Sequence, residues 1–131
     1  MAAVPENSQR HSESRAKDWA GDQRAFVVLW VIPGAAMLMA LLLEPNWRAV
    51  VWMAMLVWMG VACLVNARRC NRTHCRLTGP FLLAMAALVA GYAAGFLPLG
   101  RHGWTALGAT TAVGFVVLWW GSERLWGAYR R

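Results

Sequence analysis

The sequence predicts an all-α, polytopic membrane protein with four transmembrane helices and both ends on the cytoplasmic side. Three observations carry that prediction. Four apolar runs, each about 17–20 residues long, contain no Asp, Glu, Lys or Arg, and at about 1.5 Å per residue each nearly matches a hydrocarbon core of about 30 Å. The chain is 59% hydrophobic and 15% charged, whereas a soluble domain is about half apolar and about a quarter charged. Nine tryptophans in 131 residues fit a chain with extensive bilayer interfaces, where Trp concentrates.

Residues 1–24 form a polar cytoplasmic segment, longer than the basic region of a cleavable signal, so the first span is expected to be an uncleaved anchor. Residues 14–24, with Trp19, are expected to lie on the inner surface as a short amphipathic helix. The acids Glu13, Asp18 and Asp22 offset its bases and weaken electrostatic attachment. Residues 1–12 read equally as a disordered tail. The first span covers residues 25–43, and Pro33-Gly34 within it predicts a kink or a locally opened hydrogen-bond ladder. The second, residues 49–65, follows the turn Glu44-Pro45-Asn46-Trp47. The third, residues 80–99, is opened by Thr78-Gly79-Pro80, where Pro80 suits a first helical turn. The fourth, residues 104–120, follows Leu99-Gly100-Arg101-His102-Gly103 and leads into a cytoplasmic tail, residues 121–131.

Basic residues set the orientation. Arg10, Arg15, Lys17 and Arg24 precede the spans, Arg68, Arg69, Arg72 and Arg76 separate the second from the third, and Arg124, Arg130 and Arg131 close the chain. Only Arg48 and Arg101 fall on the other side. The positive-inside rule then places both termini and the second-to-third loop in the cytoplasm of a bacterial or archaeal cell. Trp47 and Trp104 are expected at the outer interface, with Trp30, Trp119, Trp120 and Trp126 nearer the inner one. The formal charge of +7 lies beside apolar spans, so its counter-charge is anionic phospholipid rather than nucleic acid.

Gly91-Tyr92-Ala93-Ala94-Gly95 is a GxxxG pattern, extended one turn by Ala87. It predicts close helix packing of the kind that associates spans within lipid. Gly108, Thr111 and Ala112 give the fourth span a similar stripe, so the third and fourth are expected to pair, with Gly91 and Gly95 available for a homo-oligomer or a larger membrane complex.

The chemistry concentrates in Arg68-Arg69-Cys70-Asn71-Arg72-Thr73-His74-Cys75-Arg76. A cytoplasmic position disfavours a stable disulfide. Flanking arginines favour the thiolate, the form that ligates metal. In a helix Cys70 and His74 share a face, whereas Cys70 and Cys75 diverge, so a site using both thiols needs a bent backbone. Cys70, His74 and Cys75 fall short of a closed four-ligand zinc site and suit a soft ion such as Hg(II) or Cu(I), as cargo rather than resident cofactor. Met55, Met59 and Cys63 stand at i, i+4 and i+8 on the second span, which makes Cys63 a candidate relay ligand. The same stretch supports a second reading. Arg68, Arg69, Arg72 and Arg76 stand before a helix start at Gly79, an anion site for a lipid headgroup or a partner, in a non-catalytic accessory or scaffold subunit.

Other classes lack their residues. No Asp, Glu, Lys, Arg or His sits inside a span, as ion- or proton-coupled transport commonly requires. His74 and His102 fall on opposite sides, which argues against a haem held between helices by paired histidines. No Ser–His–Asp set, phosphate loop or paired intramembrane carboxylates appear, so no enzyme is expected.

The run Arg68-Arg69-Cys70-Asn71-Arg72-Thr73-His74-Cys75, continuing into Thr78-Gly79-Pro80-Phe81, resembles small bacterial and archaeal integral membrane proteins with an RRCxRxHCxxTGP pattern. That resemblance extends through Leu97-Pro98-Leu99-Gly100 to the tail and implies a membrane protein without implying an activity. In general plan the chain is also similar to the small mercury-uptake proteins of resistance operons, which hand Hg(II) between cysteine pairs. It lacks their adjacent cysteine pair in the first span.

Overall fold

The computed structural model describes residues 3, 5–16 and 18–127, and among them the only regular structure is helical. Lys17, Arg130 and Arg131, counted in the basic bias, lie outside the described residues. Five helices follow one another: α1 (Glu6–Ala16), α2 (Gln23–Leu42), α3 (Pro45–Cys70), α4 (Thr73–Ala93) and α5 (Gly103–Trp126). The last four are long and apolar enough to cross a membrane. They also expose large apolar side chains all round, among them Ile32, Leu42, Trp58 and Val113. Water does not solvate such a surface well, and lipid does. Arg68, Arg69, Arg72 and Arg76 mark one end of the bundle as its basic end.

Each boundary has a local cause. Asp22 caps α2 through Arg24 N. Within α2 a π-helical turn, Val27–Val31, precedes Pro33, and Ile32 N bonds Val27 O. The ladder has therefore opened one turn before the proline, as Pro33-Gly34 predicted. Pro45 occupies the first turn of α3, where its missing N–H costs nothing. That helix runs to Cys70 and ends because Asn71 takes the left-handed conformation (φ 58°) and returns its N–H to Ala67 O, a capping role that Asn fills second only to Gly.

Two expectations are corrected here. The second-to-third connection is only residues 71–72, and α4 begins at Thr73 rather than at Pro80. Pro80 lies inside α4 on an exposed face, where the Arg76 carbonyl it leaves without a donor can turn outward. Gly79 is consequently a buried helix-interior residue and not a helix start. The pair Gly91 and Gly95 ends α4 instead of packing it. Phe96 N bonds Gly91 O, Gly95 N bonds Tyr92 O, and Gly95 has φ +81°. This is a Schellman stop, which needs a residue tolerant of positive φ. A Cβ on Gly91 would meet only Leu97, at an ordinary 3.5 Å.

The close approach lies elsewhere, between Gly60 of α3 and Gly79 of α4. A Cβ on Gly79 would sit 2.8 Å from Leu64 and 3.2 Å from the Gly60 carbonyl oxygen. These glycines let α3 and α4 form the main interface, around the fully buried Leu56, Leu82 and Val89. α5 packs on α4, as the sequence predicted for the third and fourth spans, and α2 packs on α3. No Cα of α2 comes within 8 Å of α5.

The amphipathic helix expected over residues 14–24 is replaced by α1, over Glu6–Ala16, which is exposed throughout its described side chains. Residues 18–20 fold back onto the basic end instead. Asp18 is buried there, Trp19 N donates to Asn66 Oδ1 at 2.9 Å, and the Arg69 guanidinium stacks over the Trp19 ring at 4.4 Å. The reason is electrostatic: Asp18 supplies a carboxylate to an end of the bundle crowded with arginine.

Candidate functional site

At the basic end the abrupt α3–α4 junction turns five polar side chains inward. Asn71 and Arg72 occupy so little chain that Cys70, at the end of α3, and His74 and Cys75, in the first turn of α4, are all buried. Asn66 and Cys63 face them from α3, one and two turns back, and both have 0% exposure.

These groups form a closed ring of hydrogen bonds. Asn66 Nδ2 donates to Asp18 Oδ1 (2.8 Å) and also reaches Cys75 Sγ (3.4 Å). Arg72 bridges two carboxylates, pairing with Asp18 Oδ2 through Nη1 and with Glu123 Oε1 through Nε (2.9 Å). His74 Nδ1 lies 2.7 Å from the same Glu123 oxygen, and its Nε2 lies 3.2 Å from Cys75 Sγ. Both Arg72 Nε and His74 Nδ1 are donors converging on one oxygen, which accounts for their 3.3 Å separation. With Nδ1 protonated toward Glu123, Nε2 carries the lone pair and accepts from the Cys75 thiol. Trp119 stacks on the imidazole with ring centroids 3.8 Å apart, fixing its plane.

Cys63 joins the ring from the apolar side. Its sulfur interacts with that of Cys75 and accepts from Trp30 Nε1 at 3.3 Å. Cys70 faces differently: its thiol donates to Asn66 O at 3.0 Å. The predicted ligands are thus divided, with Cys63, His74 and Cys75 in one chain of contacts and the Cys70 thiol turned to the oxygens of Asn66. The bent backbone that two loop thiols would need is present, yet it brings Cys75 to Cys63 rather than to Cys70. Met59 lies on the same helix as Cys63 and is buried, while Met55 is half-buried.

The arginines are not the free cluster that the sequence suggested. Arg72 is enclosed by its two carboxylates and Arg69 lies over Trp19, while Arg68 and Arg76 are exposed. None of the cations expected to favour the thiolates is aimed at a sulfur by a described contact. Burial alone would raise the Asp18 carboxyl, but the Asn66 amide and the Arg72 guanidinium more than offset this and hold it below the ordinary carboxylate range. The same pairing holds the proton on Arg72 more firmly than usual, against its own burial.

The sign of the pH effect follows. A depressed carboxyl stabilises the fold above its unfolded value of about 3.9, and that stability is lost as pH falls through the lower folded value. Protease cleavage within residues 15–24 is expected to stay slow from neutral pH to about 5 and to rise only below about 4. Asp18→Asn should make cleavage faster at neutral pH and flatten the acid response. An acid response unchanged in that variant would remove Asp18 from the latch.

Three of these participants were missed at the sequence level: Asp18, Asn66 and Glu123. The signal for Asp18 and Glu123 was charge accounting, since four arginines drawn to one end of a bundle need acids and the chain holds only six; Asn66 had none. Thr73 and Thr78 also have buried hydroxyls without a partner among the described residues, and Thr78 lies one turn beyond His74 on the same helix face. Among the described residues no three His, Cys, Asp or Glu side chains already stand in the geometry that grips an ion.

Comparison with protein-family models, with curated proteins and with solved structures finds no match for this chain.

Proposed function

We propose that the chain is a small multi-pass protein of a bacterial or archaeal cytoplasmic membrane that binds a soft metal ion, Cu(I) or Hg(II), through Cys63, His74 and Cys75 and hands it on. The basic end and both termini face the cytoplasm, in keeping with the positive-inside bias. The observation that carries this reading is the polarised imidazole. Glu123 fixes the Nδ1–H, so the Nε2 lone pair points at Cys75 Sγ 3.2 Å away, with the Cys63 thiol beside it. Carboxylate–histidine pairs of this kind orient metal-bound imidazoles and raise their basicity.

In the unloaded protein the Cys75 thiol proton fills the gap between sulfur and Nε2. A soft cation displaces that proton and the one on Cys63, so loading releases two protons and leaves both sulfurs as thiolates on the ion, a neutral centre with Hg(II) and one of net charge −1 with Cu(I). Sulfur donors select soft ions over Mg(II) or Ca(II), which prefer oxygen. Loading would require the Cys63 and Cys75 side chains to converge on the held His74 Nε2, because no three such donors already stand in gripping geometry among the described residues. The segment 18–20, latched by Arg72, covers the site from the cytoplasmic side, so exchange of the ion requires that latch to open.

Inductively coupled plasma mass spectrometry after loading with Hg(II) or Cu(I) tests the reading. One ion per chain is expected in the wild type and in Cys70→Ser, and none is expected in Cys63→Ser plus Cys75→Ser. Glu123→Gln should weaken binding by about 10–100-fold, the usual cost of losing the partner of a ligating histidine. Stoichiometry indifferent to Cys63 and Cys75 would sink the metal site and leave the ring as the structural lock of an accessory subunit.

A further inference from the structure

Away from the thiols, α2 and α5 leave an apolar cleft of about 740 Å³ between them, within the range that holds a bound small molecule. Phe26 and Trp119 meet edge to face at one end, with centroids 5.8 Å apart. Arg48 and Trp104 stand at the other, the guanidinium 5.2 Å from the ring centroid. In between the backbones are too far apart to touch, and the floor is Trp30, Met37 and Trp52. The lining stretches from Phe26 to Leu41 along α2, roughly 22 Å at the helical rise and deeper than one leaflet of about 15 Å. An apolar cavity does not hold water favourably, and in a bilayer the available filler is hydrocarbon.

Arg48 makes the cleft selective. Its Nε and Nη2 donate to the carbonyls of Ala40, Leu41 and Leu43, closing the end of α2. Nη1 has no such bond among the described residues, and no described carboxylate lies within 4.0 Å of the guanidinium. The half-buried cation stands in the first turn of α3, whose N-cap residue, Glu44, makes no side-chain cap. The free N–H groups there add positive potential.

We propose that the cleft between α2 and α5 binds an acyl chain of an anionic phospholipid whose phosphate pairs with Arg48 at its mouth. The chain fills the apolar volume against Trp30 and Trp52, and the phosphate takes the unused Nη1 donors. The site is independent of the metal reading, since no proposed metal ligand lines the cleft.

Native mass spectrometry of the full chain, released from detergent with phosphatidylglycerol or phosphatidylcholine, reads it out. Wild type should retain one phosphatidylglycerol with a preference of about fivefold over phosphatidylcholine, as expected for one arginine at an anionic headgroup. Arg48→Gln should bring that preference to near unity, and Arg48→Lys should preserve most of it. Gly34 borders the cleft and a Cβ there meets nothing within 4 Å, so Gly34→Phe, or the smaller Gly34→Leu, should block the chain while leaving helix content and metal loading intact. Equal retention of the two lipids by the wild type would overturn the proposal. So would full retention in both Gly34 variants, or a lipid-free dimer that Gly34→Phe dissociates, which would give the cleft to a second copy.

Discussion

Replacing Arg72 by Ala is expected to cost about 3–5 kcal/mol, because it removes the guanidinium that bridges the Asp18 and Glu123 carboxylates. Asp18 has a side-chain exposure of 0% and Glu123 of 22%, while Arg72 itself keeps 15%, so water replaces little of what is lost. Three consequences follow at once. Asp18 loses the guanidinium that offsets its burial, the segment 18–20 detaches, and Glu123 is freed to leave His74. The measurement is thermal unfolding in mild detergent, with near-ultraviolet circular dichroism following Trp19 and Trp119. Arg72→Lys should recover part of the loss, since an ammonium satisfies one carboxylate as a point charge but cannot bridge two. Arg76→Ala, at an exposed position in the next turn, should leave stability within about 0.5 kcal/mol. Equal effects of Arg72→Ala and Arg76→Ala would mean that the ring contributes nothing to stability.

The second large effect is expected at the α3–α4 crossing. Gly79→Ile places carbon where Leu64 already stands 2.8 Å from a first Cβ, with the Gly60 carbonyl at 3.2 Å. A backbone carbonyl cannot swing aside as a side-chain tip can, so the helices must separate. Overpacking in a tight core costs about 1–3 kcal/mol, and here the separation also displaces Cys63 from Cys75. Gly91→Ile is the contrast, because its added Cβ meets only Leu97 at an ordinary distance. Thermal unfolding and thiol reactivity should change sharply in the first variant and little in the second. The opposite ranking would restore Gly91 as the packing glycine and remove Gly79.

Comparing the two glycine pairs also shows what could be read from the sequence. The four apolar segments were legible because hydrocarbon thickness sets helix length and charge is absent from each run. Their ends were less legible: Pro45, read as part of a turn before a span at residue 49, opens α3 instead. The third segment moved from residues 80–99 to Thr73–Ala93 because Gly79-Pro80, a helix start by preference, sits in a helix that tertiary packing has already begun. Gly91 and Gly95 fit two motifs at the same spacing, a packing stripe and a Schellman stop, and only the φ of Gly95 distinguishes them. The site was half legible. Cys63, His74 and Cys75 were named from residue type, while Cys70 was grouped with Cys75 on proximity in sequence alone. The rest of the ring closes over long separations: Asp18 meets Asn66 and Arg72 across 48 and 54 residues, and Glu123 meets His74 and Arg72 across 49 and 51. No local pattern announces contacts of that range.

The reading of the site stands on Cys63 and Cys75 acting together, across the α3–α4 junction, with His74 as the third donor. X-ray absorption at the metal edge of the Cu(I)-loaded protein tests this most directly. Two sulfurs and one imidazole nitrogen around the ion are predicted, with one sulfur lost in Cys63→Ser and the shell unchanged in Cys70→Ser. A shell that ignores Cys63 and loses sulfur in Cys70→Ser would contradict it.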